Sequence, residues 1–176
     1  MAVFPILISV PHGGDQVPPE LWEMNQLSQY DILADNDPFS RDLYQFSERA
    51  TEWIDTEIAR TYVDLNRAPD QRAPSFPDGV VKDKTVFKRE IYNRQLWPDE
   101  ELTETLLNRY YYPFHQRLEN GLQQQGIKLA VDCHSMLSEA PPISDRPGEL
   151  RPLVCLGNRG DEHGEPVEDH PTTCPA

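Results

Sequence analysis

The sequence predicts an α/β protein whose mostly parallel or mixed sheet is flanked by helices. Phe4, Ile6, Leu7, Ile8 and Val10 form a nearly unbroken apolar run with β-branched members, the pattern of a strand buried on both faces. Runs of this kind alternate along the chain with stretches whose apolar residues recur every three or four positions. The strand-like segments also end in chemically equipped turns, at His12, Asn66-Arg67 and His134. If those strands are parallel, all three ends open on one rim, where ligands of open α/β sheets bind.

The first strand stops at Pro11, which delivers His12 and then Gly13-Gly14. Two residues without side chains leave room there for a ligand to approach the backbone. Pro18 to Trp22 predicts a short helical turn started by proline. Beyond the acidic stretch Asp35-Asn36-Asp37-Pro38, the residues Phe39, Leu43, Phe46, Ala50, Trp53 and Ile54 predict a helix from Pro38 to Ile58 with Asp37 as N-cap. Arg60 to Leu65 is rich in β-formers and predicts a strand. Ala68 to Trp97 is a long proline-rich connection with a hairpin piece around Val80 to Tyr92, and connections of that length are usually functional. A second long helix, kinked by Pro113, is predicted over Asp99 to Gln125 and closed by Gly126. Lys128 to Asp132 and Leu153 to Leu156 complete the predicted strands.

Composition narrows the function classes. The chain has 176 residues, enough for one domain with a real core. Its sixteen basic and thirty acidic residues give a net charge of −14, a field that repels a phosphate backbone, so no nucleic acid partner is expected. No run of about 18 apolar residues occurs, so no membrane partner is expected either. Cys133, Cys155 and Cys174 are widely spaced and predict neither a disulfide framework nor a cysteine-rich metal site. With no secretory signal at the N-terminus, the expected location is cytoplasmic. No GxSxG elbow, P-loop or GxGxxG is present.

Two histidines at strand ends and one carboxylate make the donor set of an open zinc site. Asp132, two residues before His134, is placed to hold that imidazole from behind. The third ligand is open between Asp15, three residues after His12, and Asp37, which a helix N-terminus would also use as a cap; local spacing favours Asp15. Arg67 offers a planar fork for a carboxylate and Asn66 an additional donor, although an isolated arginine more often makes a surface ion pair. Arg72, Lys82 and Lys88 are weaker candidates for the same duty. His115, beside an aromatic cluster, reads as structural, and His163 and His170 lie in a polar tail without a motif.

The segments ISVPHGG (Ile8–Gly14), DNDPFSRDLY (Asp35–Tyr44), YVDLNRAPD (Tyr62–Asp70), YYPFH (Tyr111–His115) and DCHS (Asp132–Ser135) together resemble the N-formylglutamate amidohydrolase family, in the family's order and across the chain to about Gly160. The resemblance implies a zinc-carboxypeptidase-like, phosphorylase/hydrolase-like α/β fold and a Zn²⁺ ion. Carried over by motif, it implies His12, Asp37 and His134 as metal ligands, which sets the local preference for Asp15 aside. It also implies Asn66 and Arg67 as the grip on the substrate; Asp35, Asp132 and Ser135 are expected as supports of the ligands, and Arg72 as a further substrate contact. Family members generally continue past the point matching Ala176, so the expectation is one C-terminally truncated domain over residues 1–176. Its glutamate general base would then come from later sequence, with Glu139 and Glu149 the only local candidates.

The function expected on this resemblance is metal-dependent hydrolysis of N-formylglutamate or a similar small, anionic N-acyl amino acid. The alternatives are a carboxypeptidase-like or peptidoglycan amide hydrolase with the same ligands, and a non-catalytic domain that binds a metal and an acidic ligand.

Overall fold

The computed structural model describes residues 2–93 and 96–157. Strand β1 (Phe4–Val10) is the middle of a three-stranded parallel sheet, between β2 (Ala50–Asp55) and β3 (Leu129–Asp132). Both faces of β1 are covered, as its apolar run requires. Leu7 enters the principal core with Ile54, Tyr111 and Phe114. Ile8 and Val10 enter a smaller cluster with Ala50 and Cys133, edged by Trp53. Because all three strands run the same way, the turns after β1 and β3 share one rim, and His12 and His134 with them.

Several predicted elements are present. Pro19–Leu21 is a single 3₁₀ turn. Asp99 caps α3 (Glu100–Leu106) by accepting from the Leu102 N–H. A π turn over Leu107–Tyr111 then leads into α4 (Tyr112–Leu122). Pro113 explains the widening: it has no N–H to give the carbonyl four residues back, so the ladder is interrupted just there. The hairpin piece reduces to an isolated antiparallel bridge between Lys84 and Glu90.

Three expectations are corrected, and one helix is present that the sequence reading did not include. The long helix from Pro38 to Ile58 is instead a four-residue helix, α2 (Ser40–Leu43), a reversal, and strand β2. Phe39 breaks it at the start by adopting a left-handed conformation (φ 63°). Trp53 and Ile54, which fit a helical spacing, belong to opposite faces of a strand. The predicted strand over Arg60 to Leu65 is a tight turn, in which the Tyr62 and Val63 amides both donate to the Ala59 carbonyl. Its residues 61–65 are buried in succession rather than alternately. The added helix is α1 (Gln29–Asp35), started by a capping box between Ser28 and Asp31. Leu153 to Leu156 forms no strand; three of its residues are exposed and, among the described residues, no strand pairs with it.

The chain separates into two units, Met1–Met136 and Leu137–Ala176, and all the elements named above belong to the first. In the second, Glu139 bridges Leu150 and Glu149 accepts from Arg146. Cys155 is disulfide-bonded, which wide cysteine spacing did not predict, while Cys133 is free and buried. His163 and His170 fall outside the described residues.

Candidate functional site

The rim at the ends of β1 and β3 brings His12, Asp37 and His134 together, one donor atom of each lying within 4.8 Å of the others. Asp37 Oδ2 is 3.6 Å from His12 Nδ1 and 2.9 Å from His134 Nδ1. Asp37 is not acting as a helix cap. Its backbone carbonyl accepts from Ser40, through both the amide and the hydroxyl, which frees the carboxylate to face the histidines. The Ser135 amide also donates to it, so Ser135 contributes through its backbone.

Each imidazole is held from behind by an aspartate, so that its Nδ1 faces inward. His12 Nε2 lies 2.8 Å from Asp64 Oδ1, and His134 Nε2 lies 3.0 Å from Asp132 Oδ2. Asp132 is steadied in turn by the Ser9 hydroxyl of β1. Asp64, inside the segment read as a strand, is wholly buried and also takes Arg60 Nη2 at 3.0 Å and the Asn66 amide. Burial alone would raise its pKa, but His12 together with the Arg60 and Lys82 charges holds it well below the usual carboxylate range. Sequence reasoning missed Asp64 and Ser9. Both are polar residues inside apolar stretches, and a buried polar side chain must have a partner.

The charges of the cluster are arranged for a cation. Burial would raise Asp37, yet the His12 and His134 imidazoles facing it lower it to about 2. Burial would lower His134, yet Asp132 and Asp37 outweigh it and raise the imidazole to about 9. In the metal-free protein His134 is therefore an imidazolium sandwiched between two carboxylates, a proton that a divalent cation would displace. His12 Nδ1 is buried and has no hydrogen-bond partner. An orphaned ring nitrogen beside a carboxylate and a second inward-facing Nδ1 fits a metal ion in a His₂-carboxylate set.

The segment after Asp64 crosses the same rim as a loop rather than as a strand end. The Asn66 side-chain amide lies 2.9 Å from His134 Nε2 and donates to Asp132. Tyr111 donates to the Arg67 carbonyl, and His115 Nε2 lies 3.0 Å from the Leu65 carbonyl with its ring against Tyr111, in keeping with a structural histidine. Arg67 pairs with Asp78. The other candidates lie elsewhere. Asp15 is exposed and accepts from Gln29, outside the cluster. Asp35 touches neither histidine among its hydrogen bonds; it is buried against Lys82 and the Val86 amide, and so anchors the loop that carries Asp37. Lys82 is that pair's fully buried cation, Lys88 is exposed, and Arg72 is engaged by Glu100 and Glu104.

Gly13 and Gly14 border the open space beside the cluster, and both are also points of close packing. A side chain at Gly13 would run into Arg41 and Ser40 of α2, and one at Gly14 into the Glu57 and Ile58 backbone. The glycines let the chain pack tightly on itself, which sets where His12 stands. The open space lies alongside, in a cavity of ≈ 780 Å³ bordered by Asp37, Leu33, Phe39 and Trp53, a size suited to a small molecule.

A scan against protein families matches the N-formylglutamate amidohydrolase family over residues 4–173. Among solved structures, the chain is similar to the N-formylglutamate amidohydrolase from Ralstonia eutropha JMP134, with a TM-score of 0.63 and 20% identity over 77% of this chain and 55% of that one. It is also similar to a gene product from Agrobacterium tumefaciens, with a TM-score of 0.66 and 22% identity over 89% of this chain and 61% of that one. At these identities the likeness shows the fold, and the chain spans 55% and 61% of the two lengths. No curated protein matches. The family match takes in all three strands, the loop bearing Asp37 and the Asp64–Arg67 crossing, so the chain belongs to the N-formylglutamate amidohydrolase family.

Proposed function

We propose that this protein is a metal-dependent amidohydrolase that cleaves N-formylglutamate or a similar small N-acyl amino acid, releasing formate or another carboxylate and the free amino acid. The observation that carries the reading is the inward convergence of His12 Nδ1, Asp37 Oδ2 and His134 Nδ1, with an aspartate behind each imidazole. These three residues would hold the ion, taken as Zn²⁺ from the donor set. Bound there, such an ion supplies Lewis acidity toward an amide carbonyl and lowers the pKa of water.

The chain's own residues bind and orient. Asp64 and Asp132 keep both imidazoles in the tautomer that presents Nδ1, and Ser9 keeps Asp132 in place. Arg67, with Asn66 beside it, grips the substrate's α-carboxylate and so fixes the amide over the cluster. In this reading residues 1–176 are one domain of the family, akin to zinc carboxypeptidases and working in the cytoplasm without nucleic acid or membrane partners. Among the described residues, no helix is long and apolar enough to cross a membrane.

The test is formate release from N-formylglutamate by the zinc-loaded protein, with short peptides assayed in parallel. Turnover of formylglutamate that disappears, along with zinc binding, in His134→Ala supports the reading. Hydrolysis of peptides alone favours the carboxypeptidase-like alternative. Binding of an acidic amino acid without any turnover favours a non-catalytic domain.

A further inference from the structure

We propose that Asp78 is the positioning residue that presents Arg67 to an anionic substrate, by occupying one edge of the guanidinium and leaving the other for the substrate's carboxylate. The proposal rests on the reading of Arg67 as the carboxylate anchor.

A guanidinium has two edges that can take a carboxylate in the bidentate manner, Nε with Nη2 and Nη1 with Nη2. Asp78 fills the first completely. Arg67 Nε donates to the Asp78 backbone carbonyl at 2.8 Å and Nη2 to its carboxylate at 2.5 Å. No hydrogen bond engages Nη1 among the described residues, Nη1 is not among the buried unpartnered atoms, and the side chain is 34% exposed, which leaves the end-on edge without a protein partner there. Arg67 directly follows Asn66, whose amide touches His134, so that open edge belongs to the segment crossing the metal-ligand cluster.

Asp78 is itself held firmly enough to set a direction. Gly79 turns the chain with its amide on the Phe76 carbonyl, and a side chain there would strike the Gln71 carbonyl. Val80 then donates to Gln71, and the Val80 carbonyl accepts from the Asp64 amide. The second carboxylate oxygen of Asp78 is buried without a hydrogen bond, 3.9 Å from the Lys82 ammonium. Lys82 is wholly buried and pairs at 3.0 Å with Asp35, two residues before Asp37. Arg67, Asp78, Lys82 and Asp35 thus form a run of alternating charges that joins the carboxylate anchor to the loop carrying a metal-ligating aspartate. An anchor ordered in advance does not have to be ordered when the substrate binds, and this is how Asp78 strengthens binding despite its own negative charge.

The test is calorimetric binding of N-formylglutamate and of its α-carboxamide to the full chain, wild type and Asp78→Ala, with Asp78→Asn as a milder variant that keeps an oxygen acceptor. Asp78→Ala is expected to weaken formylglutamate by about tenfold or more, Asp78→Asn by less, and neither to change the weaker binding of the carboxamide. Equal affinity of Asp78→Ala and wild type for formylglutamate overturns the proposal. So does an equal loss toward both ligands, which would mark a merely structural role, and so does absence of formylglutamate binding by the wild type. Should Asp78→Ala not fold, an unchanged affinity in Asp78→Asn overturns it. Binding that follows the expected pattern in a protein without turnover supports Asp78's role while refuting the amidohydrolase reading.

Discussion

Asp64→Asn tests how far the cluster depends on what stands behind it. The substitution keeps the side chain's shape and an oxygen that can accept from His12 and from the Asn66 amide, but it removes a wholly buried charge. Arg60 Nη2, now 3.0 Å from Asp64, would face an amide, and the guanidinium would keep only the longer approach of Nη1 to Asp37 at 3.8 Å. Breaking a buried ion pair by removing one partner costs about 3–5 kcal/mol. The remaining carboxylate and the retained acceptor put this case at the lower end, about 3 kcal/mol, or a melting temperature lowered by about 6–12 °C for a chain of this size. Zinc affinity should fall separately, by about 10–100-fold, because His12 loses the carboxylate that fixes its orientation and tautomer. Thermal melts of the metal-free protein and competition for zinc against a chromophoric chelator read the two effects independently. Wild-type zinc affinity in Asp64→Asn would refute the idea that Asp64 prepares His12 as a ligand, whatever the melt shows.

Two further outcomes follow from buried charge. Among the described residues, Lys82→Met leaves the buried Asp35 carboxylate with the Val86 amide as its one hydrogen-bond donor, so it should destabilise by about 3–5 kcal/mol, and adding Asp35→Asn should recover part of that loss; an unchanged melt would show that the pair contributes little. In the metal-free protein, the His134 pKa is raised from 6.5 to about 9, so its contribution to stability is fully present below pH 6.5 and is lost as pH rises through about 9. Melts between pH 6 and 10 should therefore decline over that window in the wild type and lose this component in His134→Gln, and identical profiles would contradict the imidazolium assignment.

The sheet's centre and the two histidines were legible because burial leaves a direct mark. A strand covered on both faces has to be apolar throughout, and Phe4–Val10 is, apart from Ser9. Pro11 and the end of β3 then announce where His12 and His134 emerge. Helix α3–α4 was legible from Leu102, Leu106, Phe114 and Leu118 at helical spacing. Between residues 38 and 65 the same reasoning failed, since three- and four-residue spacing does not separate a helix from a reversal followed by a two-sided strand. The left-handed Phe39 at the break has no signal in the local sequence. Asp37 was ambiguous for a different reason: a carboxylate before a short helix is expected as a cap, and only tertiary structure shows Ser40 satisfied by the Asp37 carbonyl instead. Lys82, next to Val80 and Val81, did carry a hint of burial that reading it as a substrate anchor overlooked.

The central claim is that His12, Asp37 and His134 form one metal site, and a crystal structure of the zinc-soaked protein tests it most directly. The expected result is one ion bound by His12 Nδ1, a carboxylate oxygen of Asp37 and His134 Nδ1, each at about 2.0–2.2 Å, with Asp64 and Asp132 still on the two Nε2 atoms. An ion bound elsewhere, or a His134 that stays paired with Asp37 beside an excess of zinc, would contradict it.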